Sequence, residues 1–317
     1  MKSAYIAGIL ALSLGFSAQA FAKDINSIDI LDGNFSAIGT VDLDKLIANK
    51  MIDEVIKGQE GTFEKDMAFL KEAGINYKKD IDMITFAVTD DGHGCIVADA
   101  NKDITESLDK LIMSNSSNVV KSEYNGVALY TDSDASYALL SARRVIACDN
   151  KIDIKPSIDN AKSDKPKTLK ARNSTLNGMY ALTSSSADIR IAGNMSKKLR
   201  KQVASYKLDA MEGEGALKVE DINNAALSIG FSKGLEIKAV ARMKSNDVAV
   251  AGAGILNAYA STFLAAPELK EMGLDFLAKS VSVSSEKADI KGSIILNNDQ
   301  LNALIALGLT AMSGAAK

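Results

Sequence analysis

Residues 83–100 read MITFAVTDDGHGCIVADA, and this stretch decides the fold. A β-branched, apolar run is followed by turn-forming residues at 90–94 and by a second apolar run, which is the pattern of a two-stranded antiparallel hairpin. Residues 225–243 repeat the pattern around a turn at 233–234. The two hairpins indicate a sheet-rich chain in which one motif occurs twice.

The elements around these hairpins recur in one order: strand, helix, hairpin, helix, hairpin. Period-two alternation predicts the strands, and apolar residues three and four positions apart predict the helices. The first set is predicted at 35–42, 43–57, 83–100, 103–114 and 119–132. The second set is predicted at 187–195, 196–207, 225–243, 247–266 and 280–297. We therefore predict an α+β protein with two similar halves, each an antiparallel-rich curved sheet with helices packed on one face.

The chain begins with the pattern of a secretory signal peptide. Lys2 precedes an uncharged apolar stretch at 4–16, and the small residues that end at Ala22 fit a cleavage site. We expect residues 1–22 to be removed after Ala22, which predicts a periplasmic or secreted protein. The 4–16 stretch is short for a membrane span, and we predict no membrane span in the mature chain.

The mature chain is predicted to divide into three parts. A first α/β repeat covers 23–150, a linker covers 151–177, and a second α/β repeat covers 178–317. The linker prediction depends on composition, because 151–177 holds two of the three prolines and seven lysine or arginine residues.

Charge and cysteine content limit the function classes. The chain has 37 basic and 40 acidic residues and a formal net charge of −3, so we predict no electrostatic attraction to nucleic acid. Export permits a disulfide between Cys95 and Cys148, the two cysteines, both in predicted strands. The alternative is two buried free thiols on different strands.

One predicted helix is unusual, because residues 248–266 contain no charged side chain. We interpret it as a helix buried on both sides at the place where the halves meet, with a membrane span and a ligand-lining helix as alternatives. In the ligand-lining alternative, four residues of one face would contact an apolar ligand: Ile255, Leu256, Tyr259 and Phe263.

Residues that carry chemistry are scarce. The one histidine, His93, lies in a glycine turn beside Asp90 and Asp91, and no set of four zinc ligands accompanies it. Gly-x-Ser-x-Gly occurs once, at 230–234, in the turn predicted between two strands rather than between a strand and a helix, where hydrolases carry it. A contact between His93 and the thiol of Cys95 is conceivable. We predict no catalytic residue, no metal site and no cofactor.

Two segments resemble a pattern in exported bacterial α/β proteins of unassigned function. The first runs from Ile38 to Leu43 as IGTVDL, and the second runs from Gly74 to Met83 as GINYKKDIDM. In those proteins a strand that ends in Val-Asp-Leu leads to a helix, and an Asp-Ile-Asp segment precedes the first hairpin. The resemblance implies a duplicated strand-helix-hairpin unit and carries no catalytic residue over.

The sequence as a whole predicts a non-catalytic, exported envelope protein that acts by binding or scaffolding a protein partner. The alternative is a carrier that holds an apolar, lipid-like ligand between sheet and helices. Both hypotheses follow from a chain that is rich in packing residues and poor in reactive ones.

Overall fold

The computed structural model describes residues 25–49, 52, 71–72, 74–115, 119–198, 200 and 218–314. The predicted signal peptide, 1–22, lies outside these residues, as do most of the helix predicted at 196–207 and the second half of the helix predicted at 43–57. Two compact units divide the chain, residues 1–178 and residues 179–317.

Unit 1 alternates short helices with antiparallel strands. Its strands are β1 (Ala37–Asp42), β2 (Ile81–Val88), β3 (Gly94–Ala100), β4 (Val120–Tyr124), β5 (Val127–Thr131), β6 (Ala135–Ser141) and β7 (Arg144–Asp149). Its helices are α1 (Ser27–Ile30), α2 (Leu43–Ala48), α3 (Tyr77–Asp80), α4 (Thr105–Asn115), α5 (Lys155–Lys162) and α6 (Leu169–Arg172). The boundary between the two units falls within helix α7 (Ser174–Tyr180).

The sheet of unit 1 has the order β1-β2-β3-β7-β6-β5-β4, with every neighbouring pair antiparallel. The predicted hairpins at 83–100 and 119–132 are therefore present as β2–β3 and β4–β5. Asn125 and Gly126 both have positive φ, 51° and 71°, which a two-residue hairpin turn requires. The α+β class is confirmed.

One core of unit 1 lies between α4 and the sheet. Ile104, just before α4, and Leu108, within α4, are completely buried. Both pack with Ala98, Tyr130 and Val145. Side chains alternate between the two faces of a strand, so the neighbours of Ala98 in β3 face away from α4. Val97 is nevertheless completely buried, which means that both faces of this strand are covered.

The second cover of the sheet comes from the N-terminal segment and from the predicted linker. Helix α1 contacts β1, β2 and β3, and α5 contacts α1 and β6. Ile158, Leu169 and Leu176 are at most 4% exposed, so residues 151–177 form three short helices with buried side chains rather than an open linker. Prolines and lysines favoured a linker prediction, but Pro156 lies in the first turn of α5, where proline is tolerated.

Unit 2 contains five strands in its described residues, which also include a 3₁₀ helix (Val219–Asp221) and helical residues at 197, 198 and 200. The strands are β8 (Ile189–Asn194), β9 (Ile222–Gly230), β10 (Leu235–Met243), β11 (Val281–Glu286) and β12 (Asp289–Leu296). The helices are α8 (Asn246–Leu264), α9 (Pro267–Glu271), α10 (Leu277–Ser280) and α11 (Asn298–Gly314). The sheet order is β8-β9-β10-β12-β11, again antiparallel throughout.

The strand order of each unit bears on the predicted duplication. In unit 1 a hairpin, β6–β7, follows β3 in the sheet, and in unit 2 the hairpin β11–β12 follows β10. The counterpart of β11–β12 is thus β6–β7 rather than the predicted segment at 119–132. Hairpin β4–β5 is then an addition at the edge of the first sheet, and the duplication itself stays a prediction.

Candidate binding surface

Helix α8 packs on β10, β11 and β12 through small side chains. The Ser245 hydroxyl accepts a hydrogen bond from the Val248 amide at 3.3 Å and caps the start of the helix. Ala249, Gly252 and Ala253 are the buried residues of α8, and Ala249 and Ala253 pack with Met243 and Ile290. Small residues at these positions let the helix axis lie close to the strands.

Most of α8 faces solvent. Among the described residues it alone is long and apolar enough to cross a membrane, and 17% of its most apolar window is buried. Val250, Tyr259 and Phe263 are 55%, 42% and 67% exposed. The prediction of a helix buried on both sides is therefore wrong. The outer side of α8 consists largely of alanine, glycine and serine. These residues occur both on exposed and on buried helix faces, so their pattern does not show which of the two this side is.

The four predicted lining residues do not line one cavity. Leu256 packs against the core of Met243 and Ile290, and Ile255 is half-buried. Tyr259 and Phe263 are exposed near the C-terminal end of α8. Helical spacing places the four side chains on one side of α8. The sheet covers only the N-terminal part of this side, so Tyr259 and Phe263 extend beyond it.

A solvent-open groove of about 270 Å³ lies beside the C-terminal half of α8. Its lining is uncharged and comes from α8, α10 and β11, with Ala265 after the end of α8: Asn257, Ala260, Ser261, Leu264, Ala265, Ala278 and Val281. The Asn257 side-chain amide donates to the Val283 carbonyl at 3.1 Å, which fixes one wall to β11. None of the four predicted lining residues contributes to this α8 groove. Sequence reasoning missed the groove because its two walls come from parts of the chain that are separated by the 12 residues between Ala265 and Ala278.

The sheet face next to α8 is apolar and only partly covered. Ile237 is paired with Ile229 of β9 and with Ile294 of β12, and all three are half-buried. Ile290 lies on the same face and is buried beneath α8. A strand face of this composition is normally packed against another layer, so these isoleucines add apolar area beside the helix.

Cys95 and Cys148 form a disulfide, as one of the two sequence hypotheses predicted. The two residues are directly opposite each other in the β3–β7 ladder, with their Cα atoms 4.1 Å apart. Both are 1% exposed. The conceivable contact between a free Cys95 thiol and His93 is ruled out, because the sulfur is already bonded.

His93 makes a side-chain hydrogen bond beside this disulfide. Its Nδ1 lies 2.8 Å from Oδ2 of Asp149, at the end of β7. Burial raises the pKa of Asp149, but the Lys151 amide and His93 lower it more, so the net pKa lies below its usual value. The contact ties the 90–94 turn to β7 and places no nucleophile next to the imidazole.

Acidic residues gather where β1 meets β2. Burial, followed by the charges of Asp44 and Asp99, raises the pKa of Asp82, while a hydrogen bond with Asn101 lowers it. Asp99 is held by Arg144 and accepts from the Ser27 hydroxyl. Within the described ranges, no group of three or more His, Cys, Asp or Glu side chains is arranged to hold a metal ion.

Comparison with known proteins shows the fold alone. No protein-family model and no curated protein matches the chain. Crystal form III of the Treponema protein TP0453 matches with a TM-score of 0.52 at 8% identity, over 89% of this chain and 98% of that chain. Crystal forms IV and I of TP0453 give TM-scores of 0.46 and 0.47 at 8% identity, over 89% and 90% of this chain and 97% and 98% of theirs. The chain therefore shares an α+β fold with a solved bacterial protein.

Proposed function

We propose that this is a non-catalytic, exported envelope protein that binds or scaffolds a protein partner through the α8 surface, meaning the exposed side of α8 together with the α8 groove. One observation carries the proposal: residues 248–266 have no charge, yet most of the helix faces solvent. A surface helix normally carries charged residues on its outer side, and contiguous exposed apolar area marks interaction sites.

Exposed aromatic residues strengthen the choice of a protein partner. Phe263 is 67% exposed and Tyr259 is 42% exposed, and aromatic side chains are enriched in the centres of protein interfaces. The uncharged α8 groove lies beside them and offers a recess for a partner side chain.

Export is supported by two independent features. The N-terminal sequence has the three-part pattern of a signal peptide. The Cys95–Cys148 disulfide suits an oxidising compartment such as the periplasm, because cytosolic thiols are kept reduced.

A non-catalytic role is supported by the state of the reactive residues. The one histidine is paired with Asp149, and both cysteines are joined in the disulfide. Neither therefore offers the free nucleophile and poised base that covalent catalysis needs.

Site-specific photocrosslinking in cells tests the proposal. A photoreactive amino acid at position 263 should give a discrete covalent adduct with one envelope protein. A probe at Ala260, in the α8 groove beside the aromatic residues, should give the same adduct, and the double substitution Tyr259→Ser and Phe263→Ser should remove it. A probe at Val120, 65% exposed on β4, is the matched control and should give no adduct. Equal labelling from positions 120 and 263 would contradict the proposal.

A carrier for an apolar ligand is the second candidate, and the half-buried isoleucine face of β9, β10 and β12 favours it. Organic extraction of the purified protein followed by mass spectrometry should then release a stoichiometric lipid-like molecule. Ile237→Asp would place a charge on this face and should abolish retention of the molecule, whereas Lys238→Asp, on the opposite face, should not. An extract free of such a molecule would eliminate the carrier.

A further inference from the structure

The dipeptide Asn-Gly occurs twice in the chain, in two different backbone settings. Asn125 and Gly126 form the exposed turn between β4 and β5. Asn177 and Gly178 lie inside α7 and are half-buried. The same two residue types can therefore be compared within one molecule.

We propose that Asn125 is a site of spontaneous deamidation, and that its conversion releases the β4–β5 hairpin from α5. The reaction requires that the backbone nitrogen of the next residue reach the side-chain carbonyl carbon. Glycine permits this approach best because it has no Cβ. Asn125 and Gly126 are both exposed, so water reaches the reacting groups.

The chemistry needs only water. The Gly126 nitrogen loses its proton to solvent and bonds to Cγ of Asn125, and the side-chain nitrogen leaves as ammonia. Water then opens the resulting five-membered imide at either carbonyl. One opening gives aspartate, and the other gives isoaspartate, in which the main chain runs through the side-chain carbon. No atom is oxidised or reduced.

Strand pairing leaves the reacting groups outside the ladder. The last paired residues of the hairpin are Tyr124 and Val127. The intervening Asn125 and Gly126 both have positive φ, 51° and 71°, so the turn exposes their peptide group to water. The attacking nitrogen is consequently not engaged in the sheet.

The turn contacts α5 through the Asp159 carboxylate and through Lys155, whose Nζ lies 5.3 Å from the centroid of the Tyr124 ring. The Asn125 side-chain amide donates to Oδ1 of Asp159 at 3.1 Å, and the Tyr124 hydroxyl donates to Oδ2 of Asp159 at 2.8 Å. Deamidation replaces the amide donor with a second carboxylate that faces the first. The hydrogen bond is lost and two like charges are brought together, so the hairpin tip should separate from α5.

The helical Asn-Gly pair should resist the same reaction. Gly178, whose backbone nitrogen would have to attack, lies inside α7, and the preceding Asn177 amide donates to the Asn173 carbonyl at 3.0 Å at the start of the helix. A helical backbone holds each amide in the ladder and keeps the following nitrogen away from the side-chain carbonyl. Asn177 thus serves as an internal control with identical local chemistry.

The first test follows both sites in one sample. The purified, disulfide-bonded protein is incubated in mildly alkaline buffer, and peptides are analysed by mass spectrometry over time. We expect Asn125 to gain the mass of an amide-to-acid conversion, with both aspartate and isoaspartate products, at least tenfold faster than Asn177. Equal rates at the two sites, or an unchanged Asn125, would overturn the proposal.

The second test separates the reaction from its consequence. Asn125→Asp should increase hydrogen exchange of the Tyr124 and Val127 amides and of α5, relative to the unmodified protein. The double variant Asn125→Asp with Asp159→Asn removes the facing charge and should restore exchange toward the starting level. Identical exchange in all three proteins would refute the proposed release of the hairpin.

Discussion

At the scale of the residue, Asp149 links stability to pH. Its carboxylate contacts His93 and accepts from the Lys151 amide at 2.8 Å. The net pKa of Asp149 in the folded protein lies below its usual 3.8. A group with a lowered pKa stabilises the fold above its unfolded pKa, and this contribution is lost as pH falls through the folded pKa.

We expect Asp149→Asn to lower the free energy of unfolding by about 1 kcal/mol at neutral pH, since the carboxylate is one-third exposed and its contacts are partly screened. The difference between variant and native protein should begin to shrink below about pH 4, where the unfolded carboxylate becomes protonated, and should be lost below the lower pKa of the folded carboxylate. Urea unfolding at a series of pH values measures both quantities. A difference that stayed constant down to pH 2, or about that value, would contradict the assignment.

Arg172 acts as a clamp between α6 and the N-terminal segment. Its guanidinium donates to the backbone carbonyls of Ile28, Asp29 and Leu31. Arg172→Ala should lower the free energy of unfolding by about 3 kcal/mol, because several partly buried carbonyls lose a charged donor. Lys170→Ala, exposed on the same helix, is the control and should change stability by less than about 0.5 kcal/mol. Chemical denaturation compares the two variants, and equal losses would show that the clamp contributes nothing.

At the scale of the element, hairpins were the most predictable features. Apolar alternation and turn residues placed β2–β3, β4–β5, β9–β10 and β11–β12, because a strand pair with a short loop is a local structure. The groove could not be predicted in the same way. Its lining depends on the position of α10 against α8, which is a tertiary contact without a local signal.

Helix α8 also provides a test of intrinsic helix propensity. Gly254 is exposed in the middle of the helix, and a Cβ at this position would meet no atom within 4 Å. Gly254→Ala should therefore raise the free energy of unfolding by about 0.5–1 kcal/mol. The reverse exchange one turn later, Ala258→Gly, should lower it by a similar amount. Thermal unfolding distinguishes the two, and a destabilising Gly254→Ala would indicate that this position contacts another part of the protein.

At the scale of the whole molecule, superposing the two units tests the predicted duplication. The strand order predicts that β1, β2, β3, β7 and β6 overlay on β8, β9, β10, β12 and β11. Helix α4 should then coincide with α8, since each follows the third strand of its unit. An experimental structure of the mature chain supplies the measurement. Matching strands without a match of α4 and α8 would argue against duplication.

Composition was a poor guide to the segment at 151–177, as it was to the exposure of α8. Its prolines and lysines resemble a linker, but Ile158 and Leu169 anchor it beside the N-terminal segment. Asp29 accepts from the Leu169 amide, and Asn160 donates to the Asp29 carbonyl. These contacts join residues more than 130 positions apart in the sequence. A local sequence pattern therefore cannot predict them.

The Cys95–Cys148 bond has a mechanical consequence. It encloses α4 and strands β4, β5 and β6 in a covalent ring spanning 53 positions. When the two chain ends are pulled apart, tension passes directly from β3 to β7 through the sulfurs. Because the chain inside the ring cannot be extended, the fully stretched molecule loses roughly 180 Å of length. The stretched, disulfide-bonded protein should therefore be shorter than the stretched, reduced protein by that length.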